Sequence, residues 1–418
     1  MNKDDCKALS HLATRARHVL ETNILPFWKE KLFNEQTQTF YSYIDQHGRP
    51  DTTHPLNAIL LTRMLWAYSA VYEQSGDTDC LRLAEAAYKT LLNSFRDPLY
   101  GGIFYQIQAD STPLVLQKRT FAQAFSIIAL ARYAKATGSN EALLEARNTH
   151  ELLLQHAQTV RGGFTDTLTR DWRDEADEHI WWMNSQGAPF IFNSQLHMLE
   201  AAIELQEAAP SAKGSNQIKD QITFILQWFL DCTNNHLFVS ISDQAKPIDE
   251  TINFSNELET AYLLRRAARL CGDIQRVDPL CTALVRNVML LAQDKTHGGL
   301  FFSSHGQQGL NRCKVWYVHA EAMVALLDAY AATKESCFLN WATELWKFIE
   351  EHLIDWEGGE WFSSAKNPYT DEVSIQQQRT RDNRTGKEKA SAYKCPYHTV
   401  RAGLEINRRV NQLTTPAR

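Results

Sequence analysis

The feature that most constrains this chain is a helical hairpin that recurs, often followed by paired glycines and a large apolar residue. Leu56 to Tyr72 reads LNAILLTRMLWAYSAVY and Leu81 to Phe95 reads LRLAEAAYKTLLNSF. Both are runs of helix-favouring residues, and Gln74-Ser75-Gly76-Asp77 joins them as a turn. A similar unit runs from Arg119 through FAQAFSIIALARYAKATGSNEALLEARNTHELLLQHA, broken at Gly138-Ser139-Asn140. Further pairs fit Gln195 to Ala209 with Asn216 to Cys232, Glu257 to Cys271 with Val277 to Asp294, and His319 to Ala332 with Leu339 to Leu353.

Double glycines follow several of these units: Gly101-Gly102-Ile103-Phe104, Gly162-Gly163-Phe164, Gly298-Gly299-Leu300-Phe301 and Gly358-Gly359-Glu360-Trp361. Their starts lie 61, 136 and 60 residues apart, so the middle gap holds two of the shorter ones. A period of about 60 to 70 residues, one hairpin per period, marks a repeated helical architecture. Each hairpin leaves an apolar face that only a neighbour can cover, so about six units are best satisfied by closing into a ring. The predicted fold is therefore all-α: a single (α/α)6 toroid over residues 1–418, with short hairpin strands and loops at one end.

Composition narrows the partners. The 418 residues are 44% hydrophobic and 22% charged with a net charge of -6, which gives no basic footprint for nucleic acid or an anionic membrane surface. No apolar run approaches the roughly 18 residues of a membrane helix, and Met1 to Leu20 lacks the apolar stretch of a secretory signal. A cytoplasmic location and a small-molecule partner are expected; a homodimer is compatible with the sequence, which does not fix the oligomeric state. The eight cysteines form no CxxC pair and read as reduced thiols. No HExxH or other compact ligand cluster occurs, so no metal is expected.

Inner helices of a ring should be apolar yet carry isolated polar residues aimed at the axis. Arg63 in LLTRMLWAY, Gln123 in TFAQAFSII, His197 in NSQLHMLEA, Glu259 in NELETAYLL, and His319 with Glu321 in VWYVHAEAMVALL fit that description. So do His398, Arg401 and Glu405 in PYHTVRAGLEI. Trp66, Trp181, Trp182, Trp316, Tyr317, Trp361 and Tyr393 offer stacking faces. A cavity lined by imidazole, carboxylate, guanidinium and aromatic groups suits a sugar. Two polar stretches, Arg161 to Asn193 and Ser363 to Lys394, precede His197 and His398 and could cover a ligand.

Eight stretches in order, NILPFW (Asn23 to Trp28), NAILLTRMLWAYSAVY, QKRTFAQAFSIIALA, NSQLHMLEA, LETAYLL, WYVHAEAMVALLDAY, GGEWF and KCPYHTVRAGLEI, resemble the N-acylglucosamine 2-epimerase superfamily. Within it they resemble the cellobiose 2-epimerase branch, over nearly the full length. The resemblance implies a six-fold helical toroid and cofactor-free chemistry on a reducing sugar: ring opening, removal of the C2 proton, and its return to C2 or C1. It places a substrate-binding arginine at Arg63, a cavity histidine at His197, a carboxylate at Glu259, an aromatic wall at Trp316 and a catalytic histidine at His398. The family's other catalytic histidine falls at Asn256.

That departure matters because inverting C2 of a planar cis-enediol normally needs a base on one face and an acid on the other, whereas aldose–ketose isomerisation can run on one base. An amide hydrogen-bonds a sugar oxygen but does not shuttle protons near neutral pH. The sequence therefore leans to an aldose–ketose isomerase with His398 as base, Arg63 steadying the enediolate and His319 opening the sugar ring. His197, Asn256, Glu259, Trp316, Glu321 and Tyr393 are the expected binding residues. Tyr317 and Tyr393 stand where the cellobiose branch tends to carry tryptophan, which favours a monosaccharide: D-mannose to D-fructose, with D-lyxose to D-xylulose as a side activity. The alternatives are 2-epimerisation of cellobiose, mannobiose, glucose or an N-acylglucosamine, with His197 or His319 as the second acid, and a catalytically silent sugar-binding toroid. A glycoside hydrolase, which would need two carboxylates across the bond, fits the motif order less well.

Overall fold

Local signals start and stop the helices. Asn57, Asp77, Ser139, Ser211 and Asn253 cap the helices that follow them by accepting backbone N–H groups. Gly76, Gly138 and Gly272 end three helices in the left-handed conformation that glycine adopts without steric cost. The computed structural model describes residues 3–181, 183–366, 368–369 and 388–415.

The helices form two concentric layers. The outer layer is α1 (Lys3–Val19), α4 (Thr78–Thr90), α6 (Asn140–His156), α8 (Ala212–Trp228), α10 (Ile274–Ala292) and α12 (Ser336–His352), with the short α2 (Leu25–Lys31) following α1. The inner layer is α3 (Ala58–Ser75), α5 (Thr120–Thr137), α7 (Phe192–Ala208), α9 (Phe254–Cys271), α11 (Trp316–Thr333) and α13 (Pro396–Thr414). Each inner helix packs on the next, and α13 packs back on α3, closing the ring. This is an (α/α)6 toroid, as the repeat predicts.

The layers differ as their sequences require. Outer helices bury one stripe, such as Ile218, Ile222 and Ile225 of α8, whereas α3 is buried from Ala58 through Val71. Two- and three-stranded antiparallel ladders gather at the N-terminal ends of the inner helices; Leu56–Asn57 leads directly into α3 and Thr251–Asn253 into α9.

A common turn follows the outer helices. Asp97, Asp294 and Asp355 each accept, through the backbone carbonyl, the N–H of the residue four places on, Gly101, Gly298 and Gly359, while their carboxylates cap the intervening N–H groups. Asp231 and Asn235 repeat the bond in the unit that lacks a double glycine, with Asn235 at φ 52°; Asn tolerates that region better than most residues. In the last unit the register is one residue off the sequence reading. Gly359 and Glu360, not Gly358 and Gly359, take the two left-handed positions, with Glu360 at φ 60°.

Candidate functional site

The inner helices present equivalent slots to the turns and to the axis. In four of them the fourth residue serves a turn. Gln123 of α5 accepts from Ile103 N–H and donates to Ile103 C=O, Gln195 of α7 does the same for Phe164, and Glu257 of α9 accepts from Leu237 N–H. His319 of α11 accepts from Leu300 N–H through Nε2 at 3.0 Å and bonds Val315 C=O through Nδ1 at 2.8 Å. Close approach demands the glycines here: a Cβ on Gly299 would stand 2.6 Å from Phe348 and 3.0 Å from His319 Nε2.

This corrects two expectations. Gln123 and His319 do not face the axis. His319 is 0% exposed, both ring nitrogens bond backbone, and burial lowers its pKa to about 4, so it is a neutral turn-holding group and is not placed to open a sugar ring.

The sixth residues do meet on the axis: Arg63, Phe125, His197, Glu259, Glu321 and Arg401. The Phe125 and His197 rings lie 4.5 Å apart, and the Arg63 guanidinium rests 4.3 Å above Phe125 and 5.1 Å from Tyr397. Arg401 ties the other side together, bonding Glu259 at 2.5 Å, Glu321 at 2.6 Å, Glu200 at 3.2 Å and the Tyr397 hydroxyl at 2.7 Å. Arg63 has no carboxylate partner among the described residues; its one hydrogen bond is to the Cys395 thiol.

His398, the third residue of α13, places Nδ1 2.5 Å from Glu321 Oε1. A carboxylate only accepts, so Nδ1 carries the proton and Nε2 has the free lone pair. Burial, reinforced by the positive charges of Arg63 and Arg401, holds the His398 pKa well below the usual range and keeps Nε2 unprotonated at neutral pH. His197 Nδ1 is held by Glu200 at 2.9 Å, and its Nε2 has no partner among the described residues. Helices α7 and α13 stand three places apart in a ring of six, so the two imidazoles approach the axis from opposite walls. Burial opposes ionisation of Glu200, but His197, Arg401 and Tyr397 together hold its carboxyl below the ordinary range.

Asn256 occupies the third slot of α9, equivalent to His398 on α13, and its side chain makes no hydrogen bond among the described residues. Trp316 lies edge-on to Tyr317 at 4.9 Å, and Tyr317 lies 5.4 Å from His398, so both stand at the site. The hydroxyls of Tyr105 and Tyr393 hydrogen-bond, and the Arg119 guanidinium lies 3.9 Å from the Tyr105 ring and 4.2 Å from the Trp181 ring, which meet edge-on. Asn256, His398 and Arg63 are 8%, 6% and 5% exposed, so these groups are nearly buried. Trp361 packs on Trp346 away from the axis, Glu405 pairs with Arg408 and Arg409, and Trp182 lies outside the described residues.

Three contributors went unnoticed in the sequence: Glu200, Tyr262 and Tyr397, which brace the axial groups from one turn below or beside them. His197, Glu200 and Glu259 offer ligand atoms within 4.8 Å of one another, but Arg401 already supplies the positive charge between the two carboxylates. Further down the axis the thirteenth residues Arg132, Glu204, Arg266 and Asp328 carry alternating charge, and Glu204 pairs with Arg132 at 2.7 Å and Arg266 at 2.9 Å. These ion pairs fill the end of the barrel opposite the site.

Comparison with known proteins agrees with this fold. The sequence profile of the N-acylglucosamine 2-epimerase family matches residues 39–378. The chain is 27% identical over 394 residues to a cellobiose 2-epimerase of Bacteroides fragilis, covering 93% of this chain and 96% of that one. Among solved structures it is similar to cellobiose 2-epimerase of Bacillus thermoamylovorans, with a TM-score of 0.87, 25% identity and 96% and 100% of the two chains covered. A D-mannose isomerase shares the fold at a TM-score of 0.80 and 19% identity, with 96% and 97% covered. Among the described residues no helix is long and apolar enough to cross a membrane.

Proposed function

This chain belongs to the N-acylglucosamine 2-epimerase family, and on that footing we propose that it is a sugar 2-epimerase acting on an open-chain reducing sugar through two imidazoles, His398 and His197. The observation that supports the reading is that the two rings come from inner helices three places apart in the ring of six, each with Nδ1 held by a glutamate. His398 Nε2 takes the C2 proton, the C–H electron pair moves into the C1–C2 bond, and the carbonyl π pair moves onto O1. Arg63, with no carboxylate partner among the described residues, faces the resulting enediolate charge. A protonated His197 returns a proton to C2 from the other face, and solvent resets both rings. Glu259 and Asn256 bind hydroxyls, while Trp316 and Tyr317 wall the cavity.

The sequence expectation of one-base isomerisation of D-mannose to D-fructose stays as the second reading, because Asn256 still stands where a histidine is expected. It loses its main support once His197 is seen as a second imidazole. The test is incubation with mannose, glucose, lyxose and cellobiose in deuterated water with a chelator present, followed by proton NMR. An epimer carrying deuterium at C2 is expected. Ketose without epimer would replace this reading with the second, and no exchange at C2 in any sugar would remove both.

A further inference from the structure

We propose that Tyr262 is a positioning residue for His398, acting through Glu321. The inference rests on the role given to His398 above. Glu321 accepts from three donors: His398 Nδ1 and Arg401 Nη2 reach Oε1 at 2.5 and 2.6 Å, and the Tyr262 hydroxyl reaches Oε2 at 2.6 Å. The three donors come from two helices, α9 and α13, and the acceptor from a third, α11, so the carboxylate cannot rotate without losing one of them. Tyr262 is 4% exposed, and burial holds its hydroxyl protonated far beyond the ordinary range, which makes it a permanent donor.

The consequence for the base is electronic as well as geometric. A carboxylate that shares its charge with a phenol on one oxygen is a weaker acceptor at the other, and it stabilises an imidazolium less. Tyr262 thereby helps keep His398 Nε2 free of a proton. The other groups facing His398 are Arg63 from α3, His197 from α7, Glu259 from α9, Tyr317 from α11, and Tyr397 and Arg401 from its own helix. Tyr262→Phe leaves all of them in place, and it keeps the ring against which Arg401 and Arg409 stack at 5.4 and 5.8 Å.

The experiment titrates His398 by NMR in the full chain labelled with ¹⁵N-histidine, its signal identified by loss in His398→Gln. In Tyr262→Phe the midpoint should rise by roughly half a pH unit or more. The acid limb of kcat/KM for C2 exchange should move up with it, at unchanged KM well above that limb. Site-specific 3-fluorotyrosine at position 262 keeps the shape and strengthens the donor, so the midpoint must move down. An unmoved midpoint in both variants overturns the inference; if only Tyr262→Phe loses its helical circular-dichroism signal, the fluorinated variant decides. Should the wild-type chain exchange no sugar, the enzyme reading fails while the titration still decides the link from Tyr262 to His398.

Discussion

Replacing His319 with glutamine is expected to leave turnover within a few-fold of wild type and to make the protein less sensitive to acid. The magnitude follows from the two jobs of the ring. Glutamine retains the acceptor that Leu300 N–H requires, as Gln123 and Gln195 do for their own turns, so the loss is the bond to Val315 C=O and the packing against Phe348, stacked at 5.3 Å. Together these amount to about 1 to 1.5 kcal/mol at pH 7.5. His319→Ala, which leaves the buried N–H unpaired and a void beside Phe348, should cost about 3 kcal/mol or more. The pH term has the opposite sign. The folded pKa of about 4 lies below the ordinary 6.5, so the unfolded state binds the extra proton between those values, and the stability present above 6.5 is lost as pH falls towards 4. By pH 5 this one ring should have removed about 2 kcal/mol from wild type and nothing from the glutamine variant. Urea midpoints at pH 7.5 and pH 5.0 should therefore reverse in order. A thousand-fold loss of turnover at an unchanged midpoint would refute the reasoning and return His319 to the chemistry.

The other expectations are simpler. His398→Ala should lower C2 exchange by about a thousand-fold or more, with the helical circular-dichroism signal kept; retention of most activity removes it as the base. His197→Asn should suppress epimer formation far more than deuterium exchange at C2, read in one NMR time course, and equal loss of both would count against the two-wall mechanism. Glu360→Gln leaves the fully buried Lys394 ammonium without its 2.7 Å carboxylate partner, and should destabilise the protein by about 3 kcal/mol or more by urea midpoint, with a change under 1 kcal/mol contradicting the burial argument.

Much of the ring was legible in the sequence because its causes are local. Hydrophobic periodicity gives the hairpins, and glycine punctuation gives their period. The inner-helix starts were read late at Gln195, Glu257 and His319, whereas the helices begin at Phe192, Phe254 and Trp316. Those polar residues look like helix openings, yet each is the fourth residue, turned back to hold a neighbouring turn. Aligning the units on that slot would have separated His319 from the axial residues. It would also have put Arg63, His197, Glu259, Glu321 and Arg401 in one slot and pointed to Glu200 and Tyr262 three residues further on. Tyr397 carries no such periodic signal, because the carboxylate it donates to, Glu200, lies across the ring on α7. The left-handed Glu360 was illegible for another reason: the bonds from Trp28 and Lys394 that hold its side chain come from elements remote in the chain or beyond it.

The closure of α13 on α3 also sets an order of events on the ribosome. Arg63 emerges before the other axial residues and His398 with Arg401 after them, so a growing chain holds an open arc of hairpins with one inner face uncovered until α13 is released. A chain stopped short of α13 lacks the helix that joins α11 to α3. Release of α13 is then the step that closes the ring, and a nascent chain stalled before Pro396 is expected to be a client for chaperones.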